Sequence, residues 1–103
     1  MIALFQFDFL RHLTSIRFSS MGFDMISYLR LPSVEQTTGL RRTAVYDHVS
    51  KGLLPKPVKI GERQSAWAAH EIAAINAARL AGKSDDDIRA IVADLHRQRA
   101  VAA

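Results

Sequence analysis

Arg41, Arg42, Thr43, Tyr46, Asp47 and Lys51 fall within one short stretch of the chain; Lys56 follows between Pro55 and Pro57, with Lys59 and Arg63 beyond them. Arginine can donate a bidentate pair of hydrogen bonds to guanine. Threonine offers a hydroxyl and a methyl, and tyrosine carries a hydroxyl at the end of a rigid ring. Val45 and Val49 are four apart with Ala44 beside them, so in a helix they share one inward face. The polar residues then lie outward or along the flanks, as a reader of base edges and phosphates requires. Asp47 is the discordant member: it can accept from cytosine, pair with Arg42 or Lys51, or repel phosphate.

Other chemistries find little support. The sequence has no cysteine, which excludes disulfides, thiolate metal sites and cysteine nucleophiles. His12, His48, His70 and His96 fall on different expected elements without ligand spacing. His70-Glu71 begins like a zinc-protease motif, but position 74 is alanine, so the second ligand is missing. Asp85-Asp86-Asp87 reads as the acidic first turn of a helix. With no phosphate-cradling glycine loop and no Gly-x-Ser-x-Gly, the sequence predicts neither an enzyme nor a metal or cofactor site.

Charge points to the same central stretch. The net charge is +4 and the pI about 10.0. Residues 1–24 and 62–103 are each balanced, so the excess lies in 25–61, where Arg30, Arg41, Arg42, Lys51, Lys56 and Lys59 face only Glu35 and Asp47. A localised basic segment is the footprint of a protein that meets a polyanion.

The elements needed to position these residues follow from local signals. At 103 residues with 49% hydrophobic content, the chain allows one small domain. All five phenylalanines lie between Phe5 and Phe23, and Met21 and Met25 offer alternative starts. Residues 1–24 are therefore expected to be an N-terminal extension, a start-site artefact or loosely attached arm, ahead of a domain at 25–103. Ser33 is expected as N-cap of a first helix with Gln36 as its capping-box partner, ending after about six residues at Gly39. A second helix is expected from Arg42 to Lys51, stopped by Gly52. Val58-Lys59-Ile60 and Gln64 to Trp67 read as a hairpin around Gly61-Glu62-Arg63, with Arg63 at or just after the turn. Trp67 is expected to plug the core.

Two further helices complete the reading. One spans about Ala69 to Leu80, and the other opens on a Ser84–Asp87 capping box. Ile88, Ile91, Val92 and Leu95 form the clearest amphipathic stripe, and Arg97 and Arg99 suit the C-terminal end of its dipole. No run of apolar residues is long enough to span a membrane.

The ordered series from Tyr28-Leu29-Arg30-Leu31-Pro32-Ser33-Val34 through Thr38-Gly39-Leu40 and Arg42-Thr43-Ala44-Val45-Tyr46 resembles the opening of AlpA-type phage regulatory proteins. The likeness continues through Gly52, Leu54-Pro55-Lys56-Pro57-Val58-Lys59-Ile60-Gly61, Arg63 and Trp67, covering roughly residues 27–75. It implies a small DNA-binding protein with a helix-turn-helix and wing similar to the MerR type. Some members activate integrase or excision genes of prophages and integrative elements, and related small proteins are excisionases that bend DNA. Asp47 and Ala44 depart from the usual pattern, which often has a basic or neutral residue and a hydroxyl residue there.

The expectation is thus a mainly α chain with a small β-hairpin wing, a MerR-like winged helix-turn-helix regulator acting in the cytoplasm. Its recognition helix is about 42–51 and its wing about 58–67. Arg42, Thr43 and Tyr46 are expected at base edges or adjacent phosphates, with Arg41 beside them. Lys51, Lys56, Lys59 and Arg63 are expected on the backbone, Arg63 being the wing residue suited to a narrow minor groove. The partner is double-stranded DNA, met as a homodimer or a cooperative array. Two alternatives remain: an excisionase-like DNA-bending factor, and a protein-interaction adaptor using the Ile88 stripe.

Overall fold

Pro32 sits inside the first helix rather than ahead of it. The computed structural model describes residues 25–102. After a two-residue strand, β1 (Tyr28–Leu29), helix α1 runs Leu31–Thr38, with Arg30 as an extended N-cap and no side-chain capping bond. The expected Ser33 cap and its box with Gln36 therefore do not form. The first N–H groups of a helix have no intrahelical partner, so proline costs nothing there and its fixed φ favours the turn. The helix gains three residues at its start, Leu31, Pro32 and Ser33.

The glycine turn is as expected. Gly39 adopts φ 76° and donates its N–H to the Glu35 carbonyl at 2.8 Å, a left-handed cap that a side chain would strain. Thr38 completes it: its hydroxyl donates to the Val34 carbonyl at 2.7 Å and accepts the Leu40 N–H at 3.3 Å. Helix α2 follows at Arg42–Ser50, with Lys51 as its cap and Gly52 at φ 77° behind it.

Strands β2 (Val58–Lys59) and β3 (Ser65–Ala68) form the expected hairpin, closed where the Ile60 N–H donates to the Gln64 carbonyl. The sheet has a third member that the sequence reading did not include. Its order is β1-β3-β2, antiparallel throughout, with Tyr28 opposite Ala68 and Leu29 opposite Trp67. On the other side Val58 faces Ala66 and Lys59 faces Ser65. The hairpin is thus anchored along its inner strand to the residues just before α1.

Helices α3 (Ala69–Leu80) and α4 (Asp85–Ala102) pack behind this unit. Ser84 caps α4, its hydroxyl accepting the Asp87 N–H at 3.2 Å. Ile88, Val92 and Leu95 are buried in one cluster with Val34, Val45, Leu53, Leu54, Trp67, Ile72, Ile75 and Ala78, and Ile91 packs against it. The stripe on α4 is therefore core, which removes the surface that the adaptor reading needed. The expected N-terminal extension, residues 1–24, lies outside the described residues. Among those described, no helix is long and apolar enough to cross a membrane.

Candidate nucleic-acid interface

Helix α2 is amphipathic across its short axis. Val45 is fully buried and Val49 packs against the core, which pins the inner face. Arg41, Arg42, Thr43, Asp47 and Lys51 are all exposed, and Tyr46 is 46% exposed. The six polar side chains expected to face outward do so.

The N-terminus of α2 is electropositive by construction. Arg41 is the N-cap residue, makes no side-chain capping bond, and no acidic residue lies in the first turn. The free N–H groups at the start of a helix and its dipole both favour a negative charge there, and two exposed guanidiniums add to that field. The start of α1 has the same character, with Arg30 at its N-cap and no acid in its first turn. Helix α4 is built the opposite way, with Ser84 as cap and Asp85, Asp86 and Asp87 in its first turn. An anion suits the first two helices and is already supplied to the last.

Tyr46 does not stand free on α2. Its ring centroid lies 6.1 Å from that of Trp67 at an interplanar angle of 53°, a tilted aromatic contact between α2 and β3. Trp67 itself is 1% exposed and belongs to the core, as its sequence position implied. Its indole N–H finds no hydrogen-bond partner among the described residues.

Asp47 has a definite local partner. Its carboxylate lies 2.9 Å from the Lys51 ammonium, one turn further along the same helix. Of the roles open to it, pairing with Lys51 is the one seen, and the pair is exposed on both sides. Such a pair neutralises one of the cations expected to meet phosphate. In water it contributes little to stability, ~0–1 kcal/mol.

On the hairpin side Lys56, Lys59 and Arg63 are exposed, Lys59 on the edge strand β2 and Arg63 in the turn between β2 and β3. Ile60, at 42% exposure, is an apolar residue presented beside them. The eight candidate contact residues thus divide between α2 with its caps (Arg41, Arg42, Thr43, Tyr46 and Lys51) and the hairpin with its approach (Lys56, Lys59 and Arg63).

Sequence reasoning missed the polar groups that fix the approach. Arg99 belongs to a partly buried network and does more than face the helix dipole, the one role its sequence position suggests. Its Nε donates to Glu71 Oε2 at 2.9 Å and one Nη donates to Glu71 Oε1. The same Nη2 donates to the Lys56 carbonyl at 2.7 Å. Glu71 is 1% exposed, and Arg99, with a side chain 30% exposed, is its charge partner. The hydrogen bonds to Glu71 raise the already high pKa of the guanidinium, which stays charged. His96 accepts the Lys56 N–H on Nε2 at 3.1 Å, and Arg89 Nε donates to the Lys51 carbonyl at 2.9 Å. No local pattern announces these contacts, because the partners lie 28 to 43 residues apart.

Comparison with known proteins adds the following. Residues 27–80 match the family described as "Prophage CP4-57 regulatory protein (AlpA)". The chain is also similar to a protein of Enterobacteria phage P4 named "Uncharacterized protein ORF88", with 38% identity over 56 residues. That alignment covers 54% of this chain and 64% of the phage protein, so the chain spans less than two thirds of that relative's length. No solved structure matches.

Proposed function

The chain belongs to the AlpA family of prophage regulatory proteins, and from that premise we propose that it is a sequence-specific DNA-binding transcriptional regulator of a phage, prophage or integrative element. Helix α2 is the recognition helix and the β2–β3 hairpin the wing. The observation that carries this reading is the uncapped, acid-free N-terminus of α2, where Arg41, Arg42, Thr43 and Tyr46 are exposed over a buried Val45. Arg42, Thr43 and Tyr46 meet base edges or the flanking phosphates, and Arg41 joins them. Lys56, Lys59 and Arg63 meet the backbone, with Arg63 suited to a narrow minor groove. Lys51 contributes less than a free lysine would, because Asp47 holds it.

A single recognition helix of nine residues reads only a few base pairs, so the protein acts as a homodimer or a cooperative array on repeated sites. The test is selection from a randomised duplex library at near-physiological salt, with sequencing of the bound pool. Enrichment of a motif, repeated at fixed spacing, is the expected result. Salt-sensitive retention without any motif would instead favour the DNA-bending, excisionase-like role. No retention would reject both.

A further inference from the structure

Seven residues, Lys51 to Pro57, link α2 to β2, and one face of α4 addresses the main chain of that link. Arg89 donates to the Lys51 carbonyl, and its aliphatic stem lies over Gly52, 3.6 Å from where a Cβ would stand. His96 accepts the Lys56 N–H, and Arg99 donates to the Lys56 carbonyl, so Lys56 is held by both its polar main-chain groups. Residues 89, 96 and 99 follow a helical i, i+7, i+10 spacing, beside the apolar row Ile88, Val92 and Leu95. Between the held ends, Leu53, Leu54 and Pro55 are buried.

Among the described residues, every side-chain hydrogen bond from α4 to the main chain of the rest of the protein ends on Lys51 or Lys56. Core packing alone needs only the apolar row. The polar row is directed at one place, and α4 lies beyond the residues that match the family.

We propose that α4 is a positioning device for DNA binding, in which His96 and Arg99 fix the main chain of Lys56 and thereby set the wing relative to the recognition helix. This rests on the reading of α2 and the hairpin as the DNA-contacting elements. A link ordered before binding need not be ordered during it, so its entropy is not lost again on association. Glu71 supports the device from α3 by orienting Arg99.

The device requires an unprotonated Nε2 on His96, because the imidazolium has no acceptor. The charged groups facing His96 are Arg99 on its own helix, Glu71 on α3 and Lys56 on the link. Burial lowers its pKa, Arg99 and Lys56 lower it further, and Glu71 opposes them. The contact is therefore intact at neutral pH and lost in acid.

The test compares the full chain with His96→Gln, whose amide oxygen can still accept, and His96→Leu, which cannot. Two quantities are read: solvent exchange of the Lys56 amide hydrogen, and affinity for a duplex bearing the selected motif, or a mixed-sequence duplex if none emerges. His96→Leu should lose Lys56 protection and bind ~3–10-fold more weakly at neutral pH, the range expected for one hydrogen bond. His96→Gln should keep both. As pH falls below the ordinary histidine range the wild type should weaken relative to His96→Gln, because only the wild type carries a titrating imidazole at that position. That comparison needs no destabilised variant, so it stands even if His96→Leu does not fold.

The inference is overturned if folded His96→Leu binds like wild type, if glutamine fails to rescue, or if the ratio of wild type to His96→Gln is constant with pH. If the wild-type chain binds no duplex at neutral pH, the DNA reading itself fails and takes the inference with it.

Discussion

Tyr46 of α2 packs its ring against Trp67 of β3, 6.1 Å between centroids, so the two elements proposed to meet DNA are joined by an aromatic contact. Trp67 is buried and Tyr46 half exposed, which leaves the tyrosine ring fixed at its base. A side chain held before binding loses less freedom when it binds. Tyr46→Phe should preserve the contact and change stability by less than ~0.5 kcal/mol. Tyr46→Ala should cost ~0.5–1.5 kcal/mol through the lost ring pair. Thermal unfolding of the two variants separates them, and a selectivity loss shared by both would assign base reading to the hydroxyl.

Arg42 and Lys59 should behave differently on DNA. Arg42→Ala is expected to weaken binding to the selected motif by ~1–3 kcal/mol and to random sequence by less. Lys59→Ala should weaken both alike and flatten the dependence of log K on log salt by about one unit. Titrations on both duplexes at several salt concentrations check this. Equal losses for Arg42→Ala on the two duplexes would remove it from the base-reading set.

Asp47→Asn releases Lys51 and removes an exposed negative charge from the face of α2. Folding stability should move by no more than ~1 kcal/mol, as for other exposed ion pairs. Affinity for every duplex should rise, with a steeper salt dependence by about one phosphate contact. Unchanged random-sequence affinity would mean that Lys51 does not reach the backbone.

Glu71→Gln leaves the Arg99 guanidinium without its charge partner in a largely buried setting. Breaking a buried pair costs ~3–5 kcal/mol, and the partial exposure of Arg99 places this case at or below the lower end. Denaturant unfolding measures it. A cost under ~1 kcal/mol would show the pair to be no stronger than a surface bridge.

His96 gives stability a definite pH dependence. Its folded pKa lies below the ordinary histidine value of 6.5, chiefly because burial disfavours the charged form. The unfolded chain therefore binds the proton more readily, and stability rises with pH across that interval. The contribution is complete above about pH 6.5 and is lost as pH falls through the depressed folded value. Unfolding midpoints measured down this range should decline for wild type, and His96→Gln should flatten that part of the decline.

Much of this protein was legible in its sequence because the signals are local. Gly39 and Gly52 take the left-handed conformations that stop α1 and α2, and Ser84 caps α4 as its neighbours implied. The period of Ile88, Ile91, Val92 and Leu95 placed one face of α4 inward. The outward set on α2 followed from Val45 and Val49 alone. The start of α1 was misplaced because proline satisfies two descriptions, a helix-preceding residue and a first-turn residue, and only the path of the backbone chooses between them.

Other relationships were decided by the tertiary structure. Two residues cannot display a strand period, so β1 became visible only through its pairing with β3. Arg99 reads as a cation at the end of a helix dipole and nothing near Glu71 signals its burial, yet packing α4 against α3 buries Glu71 and brings Arg99 to it. The Lys56 main chain carries no sequence signal at all, and its two partners are supplied from 40 and 43 residues away. Local propensity and periodicity act within a turn or two of chain. Which charged side chain is paired, and which imidazole meets which amide, depends on how whole elements dock, because partners 28 to 43 residues apart meet only when the elements that carry them pack together.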